Sequence, residues 1–343
     1  MKKVVLFFTL AVGLLASAAT VQAQTVNTSR YITLTVSNGE VIKLDFKAAA
    51  ANTSVRIKSG ITDTTITVGT SWKGITSYIA ADSVMTVYGD IIVFYCSNNR
   101  AKLTAIDLSH HTQLTELYCT NNKITSLDVS NNTQLTGLYC TSNQLSSLNA
   151  SGCTQLKTLN CVSNQLLSLN VSGCTQLTNL SCQNNNLTTL DVSKNTELDE
   201  LNCANNKLNS LDVSKNTQLT QLYCDDNKFT TAALDDIYCA LPDRRGDTNG
   251  KIQPVHNSSS SNHATVLATN KQNATSKNWK VQYNNNTDIP ATTGKHKCSA
   301  TDIAEAAAEQ ALTLYPNPVA DVLYLSATAR TIRIYNIYGI EVA

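Results

Sequence analysis

The sequence of 343 residues has little charge: 15% of its residues are charged, and the formal net charge is +1. Such a chain has no long-range field to draw it to nucleic acid or to an anionic membrane, so we expect neither as a partner. It also lacks a nucleophile elbow, a zinc-binding motif and a phosphate-binding loop, and it has only five histidines. We therefore expect no enzyme activity, no cofactor and no metal site.

Long apolar runs are also missing, except at the start of the chain. Two lysines are followed there by an apolar stretch at residues 4–15 and by small residues before Gln24. This pattern predicts a secretory signal peptide at residues 1–23. No other segment approaches the ~18 apolar residues of a spanning helix. We expect an exported protein, secreted or held on the outer cell surface, with no membrane span after signal removal.

A repeat of 21 residues occupies the middle of the chain, from residue 91 to about residue 240. One unit is LTGLYCTSNQLSSLNASGCTQ, residues 135–155, and about seven units share its leucine pattern. Position 6 of the units is a cysteine: Cys96, Cys119, Cys140, Cys161, Cys182, Cys203 and Cys224. Position 9 is an asparagine: Asn99, Asn122, Asn143, Asn164, Asn185, Asn206 and Asn227.

The spacing within a unit predicts a short β-strand. Leu138 and Cys140 alternate with residues of other character, which is the period of a strand. One short strand cannot bury its apolar face alone, so we expect the units to stack about 4.8 Å apart into a parallel sheet over rows of leucine. A stacked row of asparagine amides can satisfy backbone groups where the chain leaves each strand, which is a structural role.

The repeat resembles the leucine-rich repeat, L-x-x-L-x-L-x-x-N-x-L, with cysteine in place of the third leucine. The 21-residue period with that cysteine is most similar to the internalin-J-like branch of bacterial surface proteins. The resemblance implies an α/β-type repeat solenoid, predominantly β, with a parallel sheet whose concave face binds partners.

Disulfides, metal binding and packing are three possible explanations for the row of cysteines. Equivalent side chains on stacked strands point the same way, so their Cβ atoms lie farther apart than the ~3.8 Å that a disulfide prefers. A line of thiols also does not supply the four converging ligands of a zinc site. Because cysteine packs as a small hydrophobe, we expect a buried, reduced cysteine ladder.

The remaining cysteines lie outside the ladder. Cys153 and Cys174 form a second, shorter row at position 19, where other units carry asparagine. Cys239 and Cys298 flank the segment after the repeats, and in an exported protein they are possible disulfide partners.

Positions 3, 5 and 7 of each unit are expected on the concave face. Tyrosines at position 5 of consecutive units form an aromatic patch among polar residues, and tyrosine is favoured at binding hot spots. The partner-binding residues that we predict are Tyr95, Glu116, Tyr118, Thr120, Tyr139, Thr141 and Tyr223. The alternative is that the rings only pack across the strands and protect the sheet.

Position 15 of four units is an aspartate, at residues 107, 128, 191 and 212. A ladder of carboxylates can attract calcium. Asparagine interrupts this row and no glycine-aspartate nonapeptide accompanies it, so we favour Asx-type turns on the convex side.

The segments around the repeats have their own patterns. A β-rich N-terminal cap is predicted, with a hairpin at Asn38-Gly39. A capping helix at 229–241, a further helix near 264–277 and a strand at WKVQY are predicted after the repeats. The predicted organisation is a signal peptide (1–23), N-terminal cap (24–90), repeats (91–240), C-terminal flank (241–298), linker (299–311) and C-terminal segment (312–343).

The C-terminal segment resembles the sorting domain of the type IX secretion system. Tyr315, Pro316, Asn317 and Pro318 carry the resemblance, which covers about 32 residues. It implies a β-sandwich signal that interacts with secretion machinery to cross an outer membrane. The family's domain continues through further strands, so we expect a partial sorting domain.

Together these patterns favour a secreted or cell-surface adhesin or recognition protein. Its expected partner is a protein on a host or neighbouring cell, bound on the concave face. A carbohydrate-binding surface module is the alternative, because tyrosine and asparagine also suit a glycan. An enzyme with its site in residues 243–298 is a weaker third hypothesis.

Overall fold

The computed structural model describes residues 25–298 and the backbone of two paired strands beyond them, Leu314–Tyr315 and Tyr324–Leu325. Apart from those two strands, the predicted signal peptide, linker and sorting segment lie outside the described residues. The strands are β1 (Tyr31–Val36), β2 (Val41–Ala48), β3 (Thr53–Ser59), β4 (Thr62–Val68), β5 (Thr76–Ile79), β6 (Val84–Tyr88), β7 (Ile91–Tyr95), β8 (Leu103–Asp107), β9 (Glu116–Tyr118), β10 (Gly137–Tyr139), β11 (Ser147–Asn149), β12 (Thr158–Asn160), β13 (Ser168–Asn170), β14 (Asn179–Ser181), β15 (Glu200–Asn202), β16 (Gln221–Tyr223), β17 (Gly250–Val255), β18 (Trp279–Tyr283), β19 (Leu314–Tyr315) and β20 (Tyr324–Leu325). The helices are α1 (Thr231–Ala240), α2 (His263–Leu267) and α3 (Gln272–Thr275).

The fold is a leucine-rich repeat solenoid that is predominantly β, as the repeat predicts. Its main sheet has eleven strands in the order β18-β17-β16-β15-β14-β12-β10-β9-β7-β2-β5. From β7 to β18 neighbouring strands are parallel, and successive repeats pair in exact 21-residue register from β9 to β16. We call the outward side of this sheet the concave face.

The leucine and cysteine rows form the core beneath the concave face. Leu117, Leu138 and Leu159 are fully buried, and the cysteine two residues after each of them is also fully buried. Nine cysteines of the described residues are free thiols, all of them buried. Burial raises the pKa of the Cys140 thiol and of the Cys182 thiol to about 12.

The row at position 19 is buried inside the convex turns and includes both asparagine and cysteine. The amide of Asn216 donates to the carbonyl of Val192, 24 residues earlier. The Cys174 thiol donates to the equivalent carbonyl, that of Ala150, at 3.1 Å. Thus Cys153 and Cys174 replace the asparagine donor with a weaker thiol donor.

The convex side carries Asx turns at position 15. The Asp128 carboxylate accepts a hydrogen bond from the backbone N–H of Ser130 at 2.9 Å, and this bond holds the pKa of Asp128 below its usual range. Asn149 makes the same turn with Ser151. The turn therefore tolerates either side chain, which accounts for the interrupted aspartate row.

The predicted hairpin at Asn38-Gly39 is wrong. The strands on either side of it do not pair: β1 lies between β6 and β8, whereas β2 lies between β5 and β7. Gly39, with a φ of +78°, turns the chain from one sheet to the other. Ile32 on β1 and Ile42 on β2 belong to the same buried core. Two strands with one apolar face each can thus be stacked as well as paired, and the turn signal does not distinguish the two arrangements.

The N-terminal cap extends both sides of the solenoid. A five-stranded sheet, β4-β3-β6-β1-β8, includes β8 from the first repeat, while β2 pairs with β7 at the end of the main sheet. Antiparallel strands therefore cover the open end of the leucine rows. A solenoid needs such a cap, because its terminal repeat would otherwise expose the core.

The C-terminal flank continues the main sheet instead of ending it. Strands β17 and β18 add two parallel strands after β16. Helix α1 lies within the predicted capping helix, and its Leu234, Ile237 and Tyr238 are buried. The single helix predicted near 264–277 is wrong, because the chain forms the short helices α2 and α3 there. A disulfide joins Cys239 at the end of α1 to Cys298.

Candidate binding surface on the concave sheet

Three neighbouring strands present the tyrosines of position 5 side by side. Tyr95 on β7 is in register with Tyr118 on β9, which is in register with Tyr139 on β10. Each residue just before them, such as Leu117, is fully buried. The alternation of the strand therefore places the three rings on the concave face, where each is half-buried.

The rings contact one another along the sheet. Tyr118 and Tyr139 are stacked, with ring centroids 4.5 Å apart and planes inclined by 5°. Tyr95 and Tyr118 are 6.3 Å apart and tilted by 34°. These separations lie within the range of favourable aromatic pairs, so the rings form one surface.

A fourth ring, Trp72, comes from the N-terminal cap. It lies in the loop between β4 and β5, edge-on to Tyr118 at 5.9 Å and to Tyr95 at 6.3 Å. The residue remains 41% exposed, and the Lys47 ammonium lies 4.4 Å from the ring centroid. We call Trp72, Tyr95, Tyr118 and Tyr139 the aromatic cluster.

Sequence reasoning missed Trp72. The residue stands in a polar loop, at no repeat position, and its place beside the tyrosines depends on how β2 and β5 extend the main sheet. One signal was available: a tryptophan in the otherwise polar loop GTSWKG has no strand or helix pattern to bury it.

The polar edges of the cluster are partly occupied. The Tyr118 hydroxyl donates to the Glu116 carboxylate at 2.6 Å. Burial, together with this hydrogen bond, raises the pKa of Tyr118 well above its usual value, so the hydroxyl stays protonated. Asn98 donates to the Tyr95 hydroxyl at 2.9 Å. Two of the three tyrosine hydroxyls therefore already have hydrogen-bond partners within the protein.

Gly137 makes room for Tyr139. A Cβ at Gly137 would lie 2.9 Å from the Tyr139 ring and 3.5 Å from the Glu116 side chain. The ring thus covers a position where the other repeats carry a side chain, such as Thr158 or Asn179. This close approach helps to fix Tyr139 flat against Tyr118.

The two predicted threonines lie beside the cluster. The backbone N–H of Thr120 donates to the Ser97 hydroxyl at 3.0 Å, and the Thr141 hydroxyl donates to the Asn160 side-chain oxygen at 2.5 Å. Both threonines are half-buried on the concave face.

The structure does not bring Tyr223 into the cluster. It lies on β16, four strands from Tyr139 on β10 and therefore about 19 Å away at the usual strand spacing. Its hydroxyl donates to Gln221 at 2.6 Å, and the Lys251 ammonium lies 4.5 Å from its ring centroid. Tyr223 is a separate feature of the C-terminal end.

Comparison with solved structures finds similar leucine-rich repeat proteins. The functional domain of InlJ from Listeria monocytogenes, which includes a cysteine ladder, is 31% identical; the match covers 66% of this chain and 45% of that one, with a TM-score of 0.43. YopM from Yersinia enterocolitica is 24% identical over 42% of this chain and 29% of its own, with a TM-score of 0.34. An internalin C2 from Listeria monocytogenes is 22% identical over 43% of this chain and 77% of its own, with a TM-score of 0.32.

The chain spans less than half of the InlJ chain that it matches. No family model matches the sequence, and no curated protein matches it. Among the described residues, none of the helices is both long and apolar enough to cross a bilayer.

Proposed function

We propose that this chain is an exported recognition protein that binds a protein partner through the aromatic cluster on its concave face. The observation that carries the proposal is the continuous surface formed by the Tyr118–Tyr139 stack and the partly exposed Trp72. Tyrosine and tryptophan supply large contact area at little cost in side-chain entropy, which is why they dominate binding hot spots.

The surroundings of the cluster support a protein partner. Glu116 is half-buried at its centre, and Lys47 lies on its outer side against Trp72. Apolar rings beside groups of both charges match the mixed character of protein interfaces, in which aromatic anchors lie within a polar rim.

Export supports a cell-surface role. The N-terminal signal pattern and the resemblance of Tyr315–Pro318 to a sorting motif both point outside the cell. A disulfide between Cys239 and Cys298 agrees with an oxidising compartment. We propose that the protein is secreted or displayed and that it contacts a host or neighbouring cell in adhesion.

A binding assay on intact cells tests the proposal. Labelled protein is titrated onto candidate host cells and onto neighbouring bacteria, and Tyr118→Ala combined with Tyr139→Ala is compared with wild type. We expect the double variant to bind at least about 30-fold more weakly, because a hot spot contributes about 2 kcal/mol. Tyr223→Ala, the same residue type at the same repeat position, is the matched control and should bind like wild type.

Enzymatic treatment of the cells identifies the class of partner. Protease treatment should abolish binding, whereas glycosidase treatment should leave it unchanged. Equal binding by the double variant and by wild type would contradict the proposal.

A carbohydrate ligand is the second candidate. The partly exposed ring of Trp72 next to hydrogen-bonding groups is the observation that favours it, because sugar rings pack on aromatic side chains. Loss of binding after glycosidase treatment but not after protease treatment would select this alternative.

A further inference from the structure

The carboxyl ends of β16 and β17 bring three possible metal ligands together at the C-terminal end of the sheet. Asp225 and Asp226 follow β16 in the last repeat, and His256 directly follows β17 in the C-terminal flank. One ligand atom from each residue lies within 4.8 Å of the other two. Because β16 and β17 are parallel neighbours, their carboxyl ends meet at the same edge.

The distances suit a small divalent cation. The Asp225 carboxylate lies 3.5 Å from Nδ1 of His256, and the side-chain amide nitrogen of Asn284 lies 3.1 Å from the same Nδ1. Ligands about 2.1 Å from a tetrahedral zinc ion lie about 3.4 Å from one another. An amide turned to present its oxygen would make Asn284 a fourth donor, since the two orientations of an amide occupy the same space.

Asp225 is the unusual member of this group. Asp225 is only 4% exposed, whereas Asp226 and His256 are exposed. Among the described residues, the Asp225 carboxylate forms one ion pair, which is the 3.5 Å contact with His256. Burial, and secondarily the charge of Asp226, raises the pKa of Asp225. A buried carboxylate next to a second carboxylate is unfavourable unless a cation compensates it.

We propose that Asp225, Asp226 and His256 bind a divalent transition-metal ion, zinc being the probe of choice, which joins the last repeat to the C-terminal flank. Two carboxylates with one imidazole are a donor set that zinc accepts, and the nitrogen donor disfavours calcium, which takes oxygen ligands. The ion would stabilise the junction between the last repeat and the C-terminal flank, because its ligands come from two strands that only the folded flank brings together.

Equilibrium dialysis of the untagged protein, with its Cys239–Cys298 disulfide intact, against zinc chloride tests this site. We expect wild type to bind one zinc ion per chain and to melt at a higher temperature with zinc than with a chelator. Asp226→Asn and His256→Ala should each weaken zinc binding at least about tenfold. His296→Ala, an exposed histidine outside the group, is the matched control and should bind as wild type does.

Asp225→Asn gives a second, independent measurement. The change removes a buried charge, so the metal-free variant should melt at or above the temperature of metal-free wild type, while zinc should no longer raise it. All the variants retain the nine free thiols. Zinc bound adventitiously to thiols would therefore be unaffected by the substitutions at 225, 226 and 256, and that result would overturn the proposal.

Discussion

At the scale of single residues, one asparagine in each repeat satisfies backbone groups of two repeats. The Asn185 amide donates to the carbonyls of Cys182 and Cys161, at 3.0 and 3.1 Å, and its oxygen accepts from the N–H of Leu166 at 3.0 Å. These backbone groups are buried where the chain leaves the strand, so water cannot replace the amide.

Asn185→Ala should therefore lower the free energy of unfolding by about 3 kcal/mol or more, because several buried backbone groups lose their partner at once. The neighbouring Asn184 provides the control, since it is exposed with a φ of +59° and serine occupies the equivalent place at Ser142 and Ser163 with a φ of +54°. Asn184→Ser should change stability by less than about 0.5 kcal/mol. Urea unfolding measures the free energy of unfolding of both variants. Equal losses of stability in the two would contradict the structural role of the asparagine row.

At the scale of elements, the cysteine ladder couples the stability of the sheet to pH. Burial raises the pKa of Cys182 to about 12, whereas an exposed thiol has its pKa near 9. The folded protein therefore holds protons that the unfolded chain releases between these values. The contribution of each thiol is fully present below about pH 9 and is lost as the pH rises toward about 12.

Stability should thus fall steeply above about pH 9, with each ladder thiol contributing up to about 1.4 kcal/mol per pH unit. Urea unfolding of the reduced protein from pH 8 to pH 11 measures the slope. Cys182→Ala should have a shallower slope than wild type, even though its cavity lowers stability at every pH. Identical slopes in the two proteins would show that this thiol does not remain protonated in the fold.

The elements also show which part of the fold the sequence predicts well. The parallel sheet and its two ladders follow from a 21-residue period, because every unit makes the same contacts with its neighbour. The placement of β1 and β2 in different sheets, by contrast, depends on pairing with strands that are distant in the chain. The Asn38-Gly39 pair indicates only that the chain turns there. Local patterns specify local contacts and leave the choice of sheet open.

At the scale of the whole molecule, both candidate sites lie where a cap meets the repeats. Trp72 reaches the tyrosines because the N-terminal cap extends the sheet, and His256 reaches Asp225 because β17 extends it at the other end. The sequence indicated the tyrosines at their repeat positions. It could not indicate the residues that the caps contribute, since these have no period and their neighbours are distant in the chain.

The central claim is that cap and repeats together form one binding surface, and Trp72→Ala tests it most directly. The measurement is the dissociation constant of Trp72→Ala for the cells that bind the wild-type protein. Tyr223→Ala is measured in parallel as the control. The aromatic cluster predicts that Trp72→Ala binds at least about tenfold more weakly, because the ring is both partly exposed and in contact with Tyr95 and Tyr118. Wild-type affinity in Trp72→Ala would contradict a shared surface.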